Sequence, residues 1–302
     1  MSPYVFLVLA PLFWAGNFVF GQPLSEALPP FGINLIRWAL ACVVLVPLYL
    51  EGGIPKSPRH LWAGLAVMTV TGVFLFNGLV YLSLEYTTST NAALINGATP
   101  ILTIVLAAAV GFDRLTGRRV AGALVSLVGV VWIVSRGSLE ALASLSFNRG
   151  DVIMLVAALM WAIYTIFVIR VTRVLPPLAT TTITALLALP LLAAVGGYEL
   201  ATQPVGPITP TVVAGLFYVG IVAAVAAFLF WSIGVKGVGA ARASVYLNLI
   251  PVFSVAIAAP TLGERPGLAQ LVGGLLVICG VTLASSKGRK KPDAGAPPAE
   301  VS

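Results

Sequence analysis

One cation stands out. Arg37 sits in the apolar stretch Phe31–Leu50. At a rise of about 1.5 Å per residue it lies roughly 9 Å inside a helix that starts near Phe31. A charge at that depth costs about 2.5–3.5 kcal/mol or more, so it needs a reason. One reason is attraction of a substrate carboxylate. Others are reach to the interface, or pairing with Glu26, Glu85 or a helix C-terminal carbonyl. Asn17, Asn77, Tyr81, Asn96, Trp161, Tyr164, Tyr246 and Asn248 also fall inside apolar stretches. Amides and phenols hold an ammonium or a carboxylate without a full buried charge, and aromatic faces receive an apolar side chain. The same groups also bond neighbouring helices or mark an interfacial belt. Asn77 and Tyr81, four apart, share one helical face, whereas Tyr246 and Asn248, two apart, do not both aim inward. These nine residues form the candidate substrate-binding set.

Other chemistry lacks its parts. His60 is the single histidine and lies in a polar stretch, which removes a histidine metal site. Cys42 and Cys279 stand in apolar runs without CxxC spacing, as buried inert thiols do. No Asp or Glu lies near the middle of an apolar run, so a carboxylate proton relay has no evident members. There is no GxxxxGK[ST] segment, and Gly237-Val238-Gly239 follows no strand pattern. Serines and threonines lack a histidine or intramembrane acid to activate them. The residues predict no catalytic group, metal or cofactor.

The elements that carry these residues are membrane spans. Of 302 residues, 59% are hydrophobic and only 9% charged. Mean hydropathy is +1.02. Soluble domains carry about 25% charged residues, so a soluble, disordered or disulfide-framed chain is excluded. Apolar runs fall at about 4–22, 32–50, 61–84, 88–111, 117–135, 151–171, 178–196, 210–233, 240–260 and 267–285. Within hydrocarbon these must be helices, and the alternating segments of about ten residues that a barrel needs are missing. The N-terminal run lacks a basic leader and reads as a retained helix.

The net charge of +7 is explained by orientation. With both termini in the cytoplasm, thirteen of the seventeen Lys and Arg residues fall on that side. Arg136, Arg149 and Arg265 fall outside, and Arg37 lies within a span. That bias predicts an even number of spans with both ends inside, and lipid rather than nucleic acid as the surrounding partner. The basic, Pro/Ala-rich segment 287–302 reads as a disordered cytoplasmic tail.

The halves of the chain repeat. A shift of 151 aligns Pro100 with Pro251, Asp113-Arg114 with Glu264-Arg265, Gly122 with Gly273, and Gly129 with Gly280. A shift of 147 aligns Trp14-Ala15 with Trp161-Ala162, and Pro29-Pro30 with Pro176-Pro177. Five spans per half invert the second half relative to the first, the arrangement of carriers with a site at the repeat interface. The expected division is 1–135, a connecting loop 136–150, 151–286, and the tail. Pro100 and Pro251 are candidate hinges or fixed kinks that shape a cavity. Gly122, Ser126 and Gly129 share a face suited to close helix packing. The two acidic–Arg pairs are gates on opposite faces or local caps.

FWAGNFVFGQ (13–22), YTTSTNAALINGATPILTIVLAAAVGFDRLTGRRVAGALVSLVGVVWIV (86–134) and GAARASVYLNLIPVFSVAIAAPTLGERPGLAQLVGGLLVICGVTLA (239–284) resemble EamA-type transporters of the drug/metabolite transporter superfamily. The resemblance covers 4–286. It implies an all-α membrane protein with ten transmembrane helices around a central cavity. It also implies export of small metabolites from a bacterial inner membrane, amino acids with aromatic or bulky apolar side chains among them. The expected partners are a small-molecule substrate and the bilayer, with the chain a monomer or homodimer. Other metabolites or drugs are the alternative cargo. A non-transporting assembly factor or an intramembrane enzyme is the alternative of another class.

Overall fold

In the computed structural model, residues 1–53, 55, 57–112, 116–143, 147–262 and 267–286 are described. The acidic–Arg pairs 113–114 and 264–265 and the tail 287–302 lie outside them. The described residues are helical, with no strand among them. In chain order the helices are α1 (Pro3–Ala15), α2 (Asn17–Ala27) and α3 (Pro30–Glu51). A turn at Arg59–Leu61 leads into α4 (Trp62–Met68), which runs through a π-helical segment, Thr69–Leu75, into α5 (Phe76–Leu84). Next come α6 (Ser89–Gly97), α7 (Thr99–Ala109), α8 (Gly117–Val134) and a short α9 (Leu139–Ala143). The second half holds α10 (Arg149–Thr172), α11 (Pro177–Thr202) and α12 (Pro210–Phe217). A second π segment, Tyr218–Ala226, joins α12 to α13 (Ala227–Val238). Then follow α14 (Ala240–Ser244), a 3-10 turn at Val245–Asn248, α15 (Leu249–Leu262) and α16 (Leu268–Ser285).

Among the described residues, nine continuous helical stretches are long and apolar enough to cross a membrane, and Pro3–Ala15 is a shorter apolar helix. The first apolar run is therefore divided, at Gly16, where a continuous span over 4–22 is expected from hydropathy alone. Tyr218 explains the glycine. Its hydroxyl donates to the Phe13 carbonyl at 2.8 Å, and its ring occupies the space a side chain at position 16 would need. The connecting stretch 136–150 carries α9 and the first residues of α10.

Small residues set the closest contact. α8 packs along α16. A methyl group on Gly122 would sit 2.6 Å from the Gly280 carbonyl oxygen, and one on Gly129 would sit 2.6 Å from that of Gly273. Without side chains the backbones meet directly and gain dispersion contacts that lipid does not supply. α3 lies against α11, α1 against α13 and α15, and α10 against α5 and α7.

Both prolines fall where a helix restarts. Pro100 lies in the first turn of α7, after a break at Ala98, and Pro251 is the third residue of α15, after the 3-10 turn. At the start of a regular α-helical segment the missing proline N–H costs least, so each proline marks an irregularity inside a longer helical stretch. Cys42 is buried, but Cys279 is exposed on α16, which corrects the reading of both thiols as buried.

Candidate functional site

The two π segments prepare the centre. A π turn adds a residue, and its carbonyls are free to accept from side chains. Asn34 Nδ2 donates to the Val73 and Phe74 carbonyls at 3.0 and 3.1 Å in the first segment. Trp14 Nε1 donates to Ala223 at 3.0 Å in the second, and Arg37 Nη2 approaches the same carbonyl at 3.4 Å.

Trp14 and Arg37, which reach the second segment, line a cavity of about 460 Å³. Its floor is aromatic. Trp14 and Trp161, equivalent under the 147-residue shift, meet edge-on with centroids 5.1 Å apart, and Phe228 stands edge-on to both at 5.7 and 5.5 Å. Trp231 lies beneath them, 5.6 Å from Trp14 and 5.8 Å from Trp161. Such edge-to-face contacts contribute about 0.5–1.5 kcal/mol each beyond burial. The lining rises through Phe76, Asn77, Tyr81 and Asn96 to Ser25, Leu84 and Met154. These last three lie near the ends of α2, α5 and α10 on one face of the bundle, so the cavity opens there. Toward the other face α1 and α13 close together: methyl groups on Gly234 and Gly237 would meet Leu7 and Pro3.

Arg37 is buried in the wall, 1% exposed. Nη1 donates to Asn77 Oδ1 at 3.1 Å, and the guanidinium lies 6.0 Å from the Phe228 ring centre. Neither of the proposed carboxylate partners, Glu26 or Glu85, holds it; an amide and a backbone carbonyl do. Its Nε has no partner, nor do Asn77 Nδ2, Trp161 Nε1 and Asn17 Oδ1, all buried. No Asp or Glu is among the lining residues.

Of the nine residues chosen from sequence, Asn17, Arg37, Asn77, Tyr81, Asn96 and Trp161 line this cavity. Tyr164 does not: it is buried below Trp161, its ring filling the space beside Gly72. Tyr246 points away and accepts from Ser285 Oγ at 2.9 Å. Asn248 donates to Ser126 Oγ on α8 at 2.7 Å and lines a smaller cavity of about 240 Å³ with Pro251 and Asn96. Phe76, Met154, Phe228, Leu247 and Ile250 also line the larger cavity, and their apolar type does not distinguish them in the sequence from any other span residue. Trp14 was visible only as the repeat partner of Trp161.

At the mouth, a polar cluster fastens the α5–α6 turn to the start of α10. Asp151, 2% exposed, accepts from Thr87 Oγ1 at 2.5 Å, Asn91 Nδ2 at 3.3 Å and the Asn148 N–H at 3.0 Å. Glu199 accepts from the N–H groups of Phe31 and Gly32 at 2.7 and 3.1 Å, a charged cap on α3. Partial burial and the nearby Glu199 carboxylate push the Glu85 carboxyl up from its ordinary value. Among the described residues no group of three His, Cys, Asp or Glu is placed to hold a metal.

The model of the EamA-like transporter family matches residues 1–135 and 148–286, and the chain belongs to that family. It is 30% identical over 287 residues to an uncharacterized transporter, YyaM, of Bacillus subtilis (strain 168), covering 94% of each chain. It is 26% identical to a probable terminal-alkyne amino-acid exporter of Streptantibioticus cattleyicolor, again over 94% of each. A solved crystal structure superposes with a TM-score of 0.77 at 22% identity, over 94% of this chain and 98% of that one, a likeness of fold. The chain is thus a multi-pass membrane transporter and not an enzyme.

Proposed function

We propose that this transporter moves small carboxylate-bearing metabolites across the plasma membrane, amino acids with bulky apolar or aromatic side chains first among them. The observation that carries the reading is Arg37, buried beside the central cavity without a carboxylate of its own. Cavities of about 300–1,000 Å³ with apolar walls and a few polar groups are the usual form of small-molecule sites. Asn17, Arg37, Asn77, Tyr81, Asn96 and Trp161 contact the substrate, and the aromatic floor receives its apolar part. The relative named as an amino-acid exporter agrees with this class.

In this reading α1 and α2 together form the first of ten spans, and 1–135 and 151–286 are inverted five-helix repeats joined by 136–150. The packing supports it. Gly122 meets Gly280, and Gly129 meets Gly273, while the repeat equates Gly122 with Gly273 and Gly129 with Gly280. Such reciprocal pairing is what a two-fold axis through the contact produces. The π segments support it as well, starting at Thr69 and Tyr218, equivalent places in the two halves. Rocking one half against the other opens the site to either side in turn. The Lys and Arg distribution supports both termini in the cytoplasm, which makes the open face the outer one.

The test is uptake of radiolabelled amino acids into proteoliposomes of the purified chain, with and without an imposed pH gradient. Saturable uptake above protein-free liposomes is the expected result. No uptake by protein with a sharp melting transition rejects the amino-acid class.

A further inference from the structure

We infer that the cavity reads the carboxylate and apolar body of its cargo but not an α-amino group, so that it accepts monocarboxylates lacking one. This rests on the reading of the central cavity as the substrate site and narrows its chemistry.

Charge and hydrogen-bonding capacity in the lining both favour such a cargo. The lining residues include one cation, Arg37, and no carboxylate. A zwitterion leaves the site with a surplus positive charge, whereas a monoanion brings it to neutrality. Unpaired charge in a low-dielectric setting is the costly state. The directional groups agree. Three buried donors in the lining lack acceptors: Arg37 Nε, Asn77 Nδ2 and Trp161 Nε1. One buried acceptor lacks a donor: Asn17 Oδ1. An ionised carboxylate only accepts, and its two oxygens suit an excess of donors. An ammonium only donates and needs about three acceptors, of which the buried unpartnered groups supply one. The Ala223 carbonyl that faces the site already takes Trp14 Nε1 and Arg37 Nη2. Asn77 Oδ1 is likewise taken by Arg37, an arrangement that also orients the guanidinium. Below these groups the site is aromatic, from Phe76 to Phe228, and suits a ring or branched chain.

The test compares three ligands that differ in one group: L-phenylalanine, 3-phenylpropionate without the amine, and 2-phenylethylamine without the carboxylate. Binding to the full-length protein in detergent is read by calorimetry and by the fluorescence of the cavity tryptophans. The inference predicts that 3-phenylpropionate binds at least as tightly as phenylalanine. It predicts that 2-phenylethylamine binds about tenfold or more weaker, as loss of a charged hydrogen-bonded partner requires. Arg37→Gln should weaken both carboxylates by about tenfold to a hundredfold. Asn77→Asp keeps the side-chain shape, supplies Arg37 with an internal counter-ion, and should weaken both carboxylates while sparing the amine. If phenylalanine binds and 3-phenylpropionate is about tenfold weaker or absent, the amino group is read and the inference is overturned while the wider function stands. If neither carboxylate binds to protein that melts sharply, the inference and the proposed substrate class both fall.

Discussion

Two glycines on α16, Gly274 and Gly280, should respond to the same substitution with opposite signs. At Gly273 a methyl group would lie 2.7 Å from Ile133 Cγ1 and 2.8 Å from the Gly129 carbonyl oxygen. At Gly280, two turns further along the same face, it would lie 2.5 Å from the Gly122 carbonyl oxygen and 2.5 Å from the Ser126 nitrogen. Backbone atoms cannot rotate aside, so α8 and α16 must separate by several tenths of an ångström or more. Overpacking of this kind costs about 1–3 kcal/mol, and the loosened seam also loses dispersion contacts. At Gly274 the nearest atom, Val252 Cγ1, is 3.7 Å away, an ordinary contact. There only the backbone gain applies, about 0.5–1 kcal/mol for alanine over glycine in a helix. That gain is also present at Gly280, but two contacts of 2.5 Å to backbone atoms put the overpacking toward its upper end, which leaves a net loss of about 2 kcal/mol. Thermal unfolding of each purified variant in one detergent is the assay. With a shift of roughly 2–4 °C per kcal/mol, Gly280→Ala should melt several degrees lower and Gly274→Ala a degree or more higher. A neutral or stabilising Gly280→Ala would refute the backbone-contact account of the α8–α16 seam.

Other consequences are equally direct. Asp151→Ala leaves Thr87, Asn91 and the Asn148 N–H facing a void, and should cost about 1–3 kcal/mol, read as a lower melting temperature. In a limited-proteolysis experiment the same variant should be cut faster at the α5–α6 turn. The raised Glu85 carboxyl binds its proton more tightly in the folded protein than in the unfolded chain. Its destabilising effect is therefore absent in acid, appears as pH rises above about 4.5, and is complete above the folded-state value. Glu85→Gln should remove this part of the pH dependence of melting and raise stability slightly at neutral pH. Gly72→Ala drives a methyl group into the Tyr164 ring, so it should impair folding or transport. Tyr164→Leu should recover part of the loss in a double-mutant cycle.

Membrane spans were legible because hydrocarbon permits few alternatives: a run of about 20 apolar residues without charge has to be a helix. Arg37 announced itself by its depth, and Asn77 and Tyr81 by their spacing on one face. Other features escaped for physical reasons. A π turn leaves no mark in hydropathy, yet its extra residue rotates everything that follows, so a strict α-helical projection over 61–84 misplaces the second half. The 3-10 turn at Val245–Asn248 likewise turns Tyr246 toward Ser285 and Asn248 toward Ser126, away from the cavity. Phe228, Met154 and Leu247 look like any other apolar span residue, because a cavity wall and a packed core have the same composition. One of the two partners of Arg37 was also out of reach. The Ala223 carbonyl is offered by backbone geometry, and a backbone acceptor has no residue type by which a sequence can reveal it.

The central claim is that this cavity binds the substrate and is open at the face where α2, α5 and α10 meet. Ala93, in the cavity wall on α6, provides the probe. In a chain with Cys42 and Cys279 replaced by alanine, Ala93→Cys is exposed to a membrane-impermeant maleimide in intact cells, with and without saturating substrate. The account predicts labelling from outside in the absence of substrate and protection in its presence. Labelling that substrate leaves unchanged, in protein that still transports, would contradict it.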